Sequence, residues 1–182
     1  MITVVSHDAG GAELISSWIK YKKNSKKILF SLKGPALKIF KQKLNIKNTS
    51  LKSNIKLSNK IICGSSWASD FELKAIKIAK KFNKKVICYL DHWVNYRDRF
   101  LIKNYNILPD EFWTHDQYSF NLAKKIFKDK KIILKGNYYF REINKKLNKY
   151  KNIEKRYILY TSTINRKTYK NQNILKKKVY YI

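Results

Sequence analysis

Ile2-Thr3-Val4-Val5-Ser6 runs directly into His7-Asp8-Ala9-Gly10-Gly11, and a helical apolar period begins immediately afterwards. Over residues 12–22, Leu14, Ile15, Trp18 and Ile19 fall on one face, which predicts a helix. A strand, a glycine-bearing turn and a helix in that order form the start of a βαβ unit. The same alternation continues downstream. Ile28–Leu32 reads as a second strand, and Gly34-Pro35 opens a short helix carrying Leu37 and Phe40. Residues 60–64 are a strand, followed by a helix over 69–82 that Ser69-x-x-Glu72 opens as a capping box. Residues 86–90 are uniformly apolar, as in a strand buried on both faces. Further on come a strand at Glu111–Thr114, a helix over 117–127, a strand at 132–134, a helix over 142–150 and a strand at 157–160. The Lys/Asn-rich stretch 45–59 is assigned a short strand at Leu51–Leu57. The expectation is an α/β fold with a Rossmann-like, mostly parallel sheet and helices on both faces. In such a sheet, ligands bind beyond the carboxyl ends of the strands.

The chain has 182 residues, enough for one full domain and part of another. Its first apolar run is too short for a signal peptide, and no run approaches the length of a bilayer span. Cys63 and Cys88 each lie inside an apolar strand and read as buried free thiols. These features predict a cytoplasmic protein. The formal charge is +29, from 41 bases against 12 acids. Lysine supplies most of it, and with Ile, Asn and Tyr abundant the composition is that of an AT-rich coding sequence. Part of the charge therefore belongs to solvated faces. The remaining field attracts anionic membrane, sugar nucleotides, polyphosphate or nucleic acid without choosing among them.

All three histidines stand beside an aspartate, in His7-Asp8, Asp91-His92 and His115-Asp116, each just after a predicted strand. A carboxylate beside an imidazole orients or charges it, as acid/base chemistry requires. His7, Asp8, Asp91 and His92 are the candidate catalytic residues. The competing reading makes them turn and N-cap residues, Asp8 and Asp116 above all. Trp93 is either core or a sugar-stacking wall, and His115 a further binding candidate. No His-x-His or His-x-x-x-His spacing points to a metal site.

Gly10 and Gly11 let backbone approach an anion at a helix N-terminus, or serve only as a tight turn. Glu13 is a binding candidate or a favourable first-turn acid. Ser65 and Ser66 offer hydroxyls to the same edge or cap the next helix. Arg97 and Arg99 are candidates for a phosphate clamp, with a solvated loop as the alternative.

The stretch from His7 to Leu14 resembles the first loop of GT-B fold glycosyltransferases, a group that includes UDP-N-acetylglucosamine 2-epimerases and lipid-A-disaccharide synthase-like enzymes. Leu108-Pro109-Asp110-Glu111-Phe112-Trp113-Thr114 is similar to a later strand of that group's first domain. Ile133-Leu134-Lys135-Gly136-Asn137-Tyr138-Tyr139 resembles the crossing into its second domain, with Tyr138 where proline is usual. Arg156-Tyr157-Ile158-Leu159-Tyr160-Thr161-Ser162 looks like that domain's first strand.

The resemblance implies an acceptor-type domain over 1–140, a helical connector over 141–155, and the start of an incomplete second domain or a basic tail over 156–182. It implies a role in surface polysaccharide or glycolipid assembly, peripheral to the inner membrane face. His7 or Asp8 would deprotonate an acceptor hydroxyl, Gly10 and Gly11 would face a diphosphate, and Asp91 and His92 would line the acceptor side. The partners implied are a sugar or glycolipid acceptor and a separate donor-domain chain. No cofactor is expected, the nucleotide sugar being the donor substrate. Two other classes compete: a basic nucleic-acid- or phosphate-binding domain, and a small His/Asp or metal-dependent hydrolase.

Overall fold

The computed structural model describes residues 1–22, 27–102 and 105–148. Residues 1–144 make one compact unit. The expected strand at 157–160 and the tail at 156–182 lie outside the described residues. Chain order is β1 (Ile2–Ser6), α1 (Ala9–Lys22), β2 (Ile28–Leu32), α2 (Gly34–Lys43), α3 (Leu51–Leu57), β3 (Lys60–Cys63), α4 (Phe71–Lys81) and β4 (Lys85–Tyr89). A 3-10 turn at Asp98–Phe100 and a small hairpin, β5 (Leu101–Ile102) and β6 (Tyr105–Asn106), come next. The described elements close with β7 (Glu111–Thr114), α5 (Gln117–Ile126), β8 (Lys131–Leu134) and α6 (Tyr138–Leu147).

Six strands form one parallel sheet in the order β2-β1-β3-β4-β7-β8. Side chains alternate across it as a pleated strand requires. Val4, Ile62, Ile87, Tyr89 and Trp113 pack with Ile15 and Trp18 of α1, Phe40 of α2 and Tyr138 of α6. Val5, Ile61, Cys63, Val86, Cys88 and Phe112 pack on the opposite face with Ile55 of α3, Ala75 of α4 and Ala123 of α5. Both faces are covered, which explains why the strands read as unbroken apolar runs. The fold is Rossmann-like α/β. The order in which strands are added reverses at β1: β2 lies on one side and β3 on the other, so a topological switch point lies between the carboxyl ends of β1 and β3. Cys63 and Cys88 are buried and unbridged. Among the described residues, no helix is long and apolar enough to cross a membrane.

Residues Leu51–Leu57 are a helix rather than the expected strand. The strand-like pairing falls just before it, where Asn48 bridges Phe30 and its side chain both donates to Leu32 O and accepts from Leu32 N. Asn54 of α3 donates to Phe30 O and to Ser31 Oγ. The edge of β2 is thus sealed by asparagine side chains, a means of covering an exposed sheet edge. Among the described residues, the link from β4 to β7 holds no α-helix. It is anchored by Tyr96 and Phe100, which join the stacked pair Phe112 and Phe127 at 4.2 Å.

The first turn of α1 presses against the end of β3. A Cβ at Gly11 would lie 3.0 Å from Gly64 Cα, backbone that cannot rotate away. Gly11→Ala is expected to lower stability by about 1–3 kcal/mol, as overpacking does, read from the denaturant midpoint. An unchanged midpoint would show that this approach is not tight.

Candidate functional site

His7 directly follows β1, at the switch point. Its N–H donates to Glu72 Oε1 at 2.7 Å, and its ring Nδ1 lies 2.7 Å from Asp8 Oδ1. Asp8 Oδ2 accepts the Trp67 N–H at 3.0 Å. Burial would raise the Asp8 carboxyl, but bonds from His7, Ser66 and the Trp67 and Ala68 amides outweigh it and hold the group below the usual range. An ionised carboxylate only accepts, so Nδ1 carries a proton, and in the neutral ring Nε2 is the nitrogen with the lone pair. The ring lies against Gly34, where φ is +50° and an added Cβ would come within 2.7 Å of Nε2. The side chain stays 23% exposed, so the dyad is oriented without being sealed.

Asp91 follows β4, with its side chain only 1% exposed. Oδ1 accepts from Ser65 Oγ at 3.0 Å, with Arg99 Nη1 at 3.8 Å. Oδ2 carries no hydrogen bond, although His92 Nε2 is 3.3 Å away. Burial pushes the Asp91 carboxyl above its ordinary range despite His92 and Arg99. Arg99 is itself buried, donates from Nη1 to Ser65 O at 2.7 Å, and leaves Nε without a partner. Its guanidinium also stands 5.8 Å from the Trp67 ring, which is 60% exposed. His7, Asp8, Ser65, Ser66, Asp91, His92 and Arg99 therefore share one rim, joined through Trp67 and the Asp91 carboxylate.

Several candidates serve other ends. His115 is only 4% exposed: Nδ1 is 3.1 Å from Leu90 O and Nε2 3.4 Å from Asp116. The ring is thus enclosed between the Leu90 carbonyl and Asp116. Asp116 caps α5 in a reciprocal box with Ser119 and also accepts from Trp93 Nε1 at 2.8 Å. Trp93 packs its edge on His115 yet remains 44% exposed, so it walls the rim rather than filling the core. Gly10 and Gly11 lie in the first turn of α1, where Gly10 makes room for the Asp91 carboxylate and Gly11 for Gly64. Glu13 turns away to pair with Lys43, which also binds Glu142. Arg97 donates to Ile126 O at the end of α5 and does not join Arg99 in a clamp.

Glu72 belongs to the rim, contrary to the capping box assigned to it. The N-cap of α4 is Asp70, and Ser69 Oγ accepts from Phe71 N–H. Glu72 is buried, gives one oxygen to His7, and has no partner on the other. A signal was present: Glu72 stands three, four and seven residues before Ala75, Ile76 and Ala79, on the helix's buried stripe. A charged residue there needs a reason.

Among the described residues, no three His, Cys, Asp or Glu side chains come together as a metal site. No protein family, curated protein or solved structure matches the chain.

Burial raises the Glu72 carboxyl from 4.5 to about 7. The native state keeps a proton that the unfolded chain releases near 4.5, so native stability falls as pH rises between those values. Glu72→Gln keeps an acceptor for His7 and cannot ionise. The stability of the variant relative to the natural chain is expected to increase by about 3 kcal/mol between pH 4 and pH 8. Denaturant titrations at the two pH values measure this, and a pH-independent difference would place the Glu72 titration elsewhere.

Proposed function

We propose that this domain is the acceptor-binding part of a GT-B-like glycosyltransferase working in surface polysaccharide or glycolipid assembly at the cytoplasmic face of the membrane. The observation that supports this reading best is the His7–Asp8 pair. An ionised carboxylate 2.7 Å from Nδ1 leaves the Nε2 lone pair as proton acceptor at the carboxyl end of a central strand. In this role, Nε2 removes the proton from an acceptor hydroxyl while Asp8 stabilises the imidazolium that forms. Asp91 and His92 line the acceptor side, and the exposed indoles of Trp67 and Trp93 offer faces on which a sugar ring can stack. The donor sugar nucleotide is held by a second domain or chain. The surplus of lysine suits residence near anionic lipid.

The test is transfer of labelled sugar from nucleotide sugars in extracts of the source cells, with the natural chain replaced by variants. His7→Ala is expected to lower transfer about 100-fold or more, while thermal unfolding of the purified variant shows the fold retained. Asp8→Asn is expected to lower it in the same direction, because the amide no longer requires the Nδ1–H tautomer. Full transfer by His7→Ala would overturn the reading.

A further inference from the structure

Beside the rim, between α3 and α4 and beyond the end of β2, lies a groove of about 470 Å³. That volume is in the range of small-molecule sites. Leu32, Leu51, Phe71 and Ile78 make its apolar floor, and Lys33, Lys74 and Lys77 stand exposed around it. Of the neutral polar groups nearby, Asn48 is engaged by the Leu32 backbone and Thr49 Oγ1 donates to Asn54. Lys74 pairs with Asp70 at 2.8 Å, whereas no carboxylate pairs with Lys33 or Lys77 among the described residues. Lys33 Nζ is held 4.9 Å over the Phe71 ring, so positive charge sits directly above the apolar floor. Three lysines against one aspartate leave the groove net positive.

The groove also adjoins the His7 dyad through the backbone. Lys33 N–H donates to Ser6 O, the following residue, Gly34, backs the His7 ring, and Glu72, next to Phe71, holds the His7 amide. A ligand in the groove is therefore one residue removed from the groups that position His7.

We propose that this groove binds a lipid phosphate, with the phosphoryl head among Lys33, Lys74 and Lys77 and the first part of a single hydrocarbon chain along Leu51, Phe71 and Ile78. Lysine suits such a head because it acts as a compact point charge and needs no planar partner. The apolar floor distinguishes this ligand from free phosphate, which would leave it wet. The lipid's role as carrier of the sugar acceptor rests on the reading of His7 above, but the binding does not.

The test is calorimetric titration of the purified chain with dodecyl phosphate below its micellar concentration, with inorganic phosphate and dodecyl maltoside as head-only and chain-only probes. Dodecyl phosphate is expected to bind at least about tenfold more tightly than either. Lys33→Glu and Lys77→Glu, both at exposed positions, are each expected to weaken it by about tenfold or more. Lys84→Glu makes the same change of charge at the opposite end of the strands and leaves binding unchanged. Equal affinity in all three variants overturns the groove as the site without touching the His7 reading. Phosphate alone binding as tightly as dodecyl phosphate overturns the lipid chain, and no binding of dodecyl phosphate overturns the whole proposal. Loss of sugar transfer in His7→Ala, by contrast, speaks only to the reading of the rim.

Discussion

The rim depends on one hydrogen bond, from the main-chain N–H of His7 to Glu72 Oε1. At a topological switch point the neighbouring crossovers part in opposite directions, and the last strand's amide loses the ladder partner it would otherwise have. Glu72 supplies that acceptor from the first turn of α4. The arrangement carries a cost: the carboxyl is buried, its second oxygen has no partner, and its pKa rises to about 7. In return, α4 is fixed against the end of β1, and the segment between β3 and α4 is held where Trp67 can donate to Asp8 and Ser65 can reach Asp91.

From there the four carboxyls near the rim separate into two kinds. Asp8 and Asp116 accept several hydrogen bonds in partly solvated positions and stay ionised. Glu72 and Asp91 are enclosed, and burial pushes both upward. Titratable groups driven apart in this way divide acid from base roles. Asp8 is the permanent anion that orients an imidazole, whereas Asp91 and Glu72 hold protons to higher pH. That contrast comes from how many donors each oxygen meets, because all four stand within one loop of a strand end or helix start.

The sheet was legible because most of its strands are short, mainly apolar runs bounded by polar residues, and both of its faces are covered. The His/Asp rim was legible for a related reason: parallel topology sends all residues that follow strands to one edge. What failed to show were partners distant in sequence. Glu13 and Arg97 have the residue types of a binding site, but Lys43 and Ile126 O claim them from 30 and 29 residues away. Leu51–Leu57 carries too few apolar residues for its period to decide between strand and helix, and the choice falls to Asn48 and Asn54 sealing the β2 edge. Glu72 fitted two patterns at once, the capping box and the buried stripe, and local spacing cannot say which one packing will favour.

Charge follows the same topology. In a parallel sheet the helices run back against the strands, so helix C-termini gather at the edge opposite the rim. The last turns of α1, α2, α4 and α5 all carry lysines there, in Lys20 and Lys22, Lys41 and Lys43, Lys80 and Lys81, and Lys124 and Lys125, where the helix dipole favours cations. Lys60, Lys85 and Lys131 begin their strands at that same edge. Of the acids, Asp8, Glu72, Asp91 and Asp116 stand at the carboxyl end, whereas Glu111 begins β7 at the far edge and pairs there with Lys85. Among the described residues, these helix and strand ends set a row of cations along the far edge. The carboxyl-bearing rim and the lysine-bearing far edge thus follow from one rule of the fold, the common direction of the strands and the return of the helices against them.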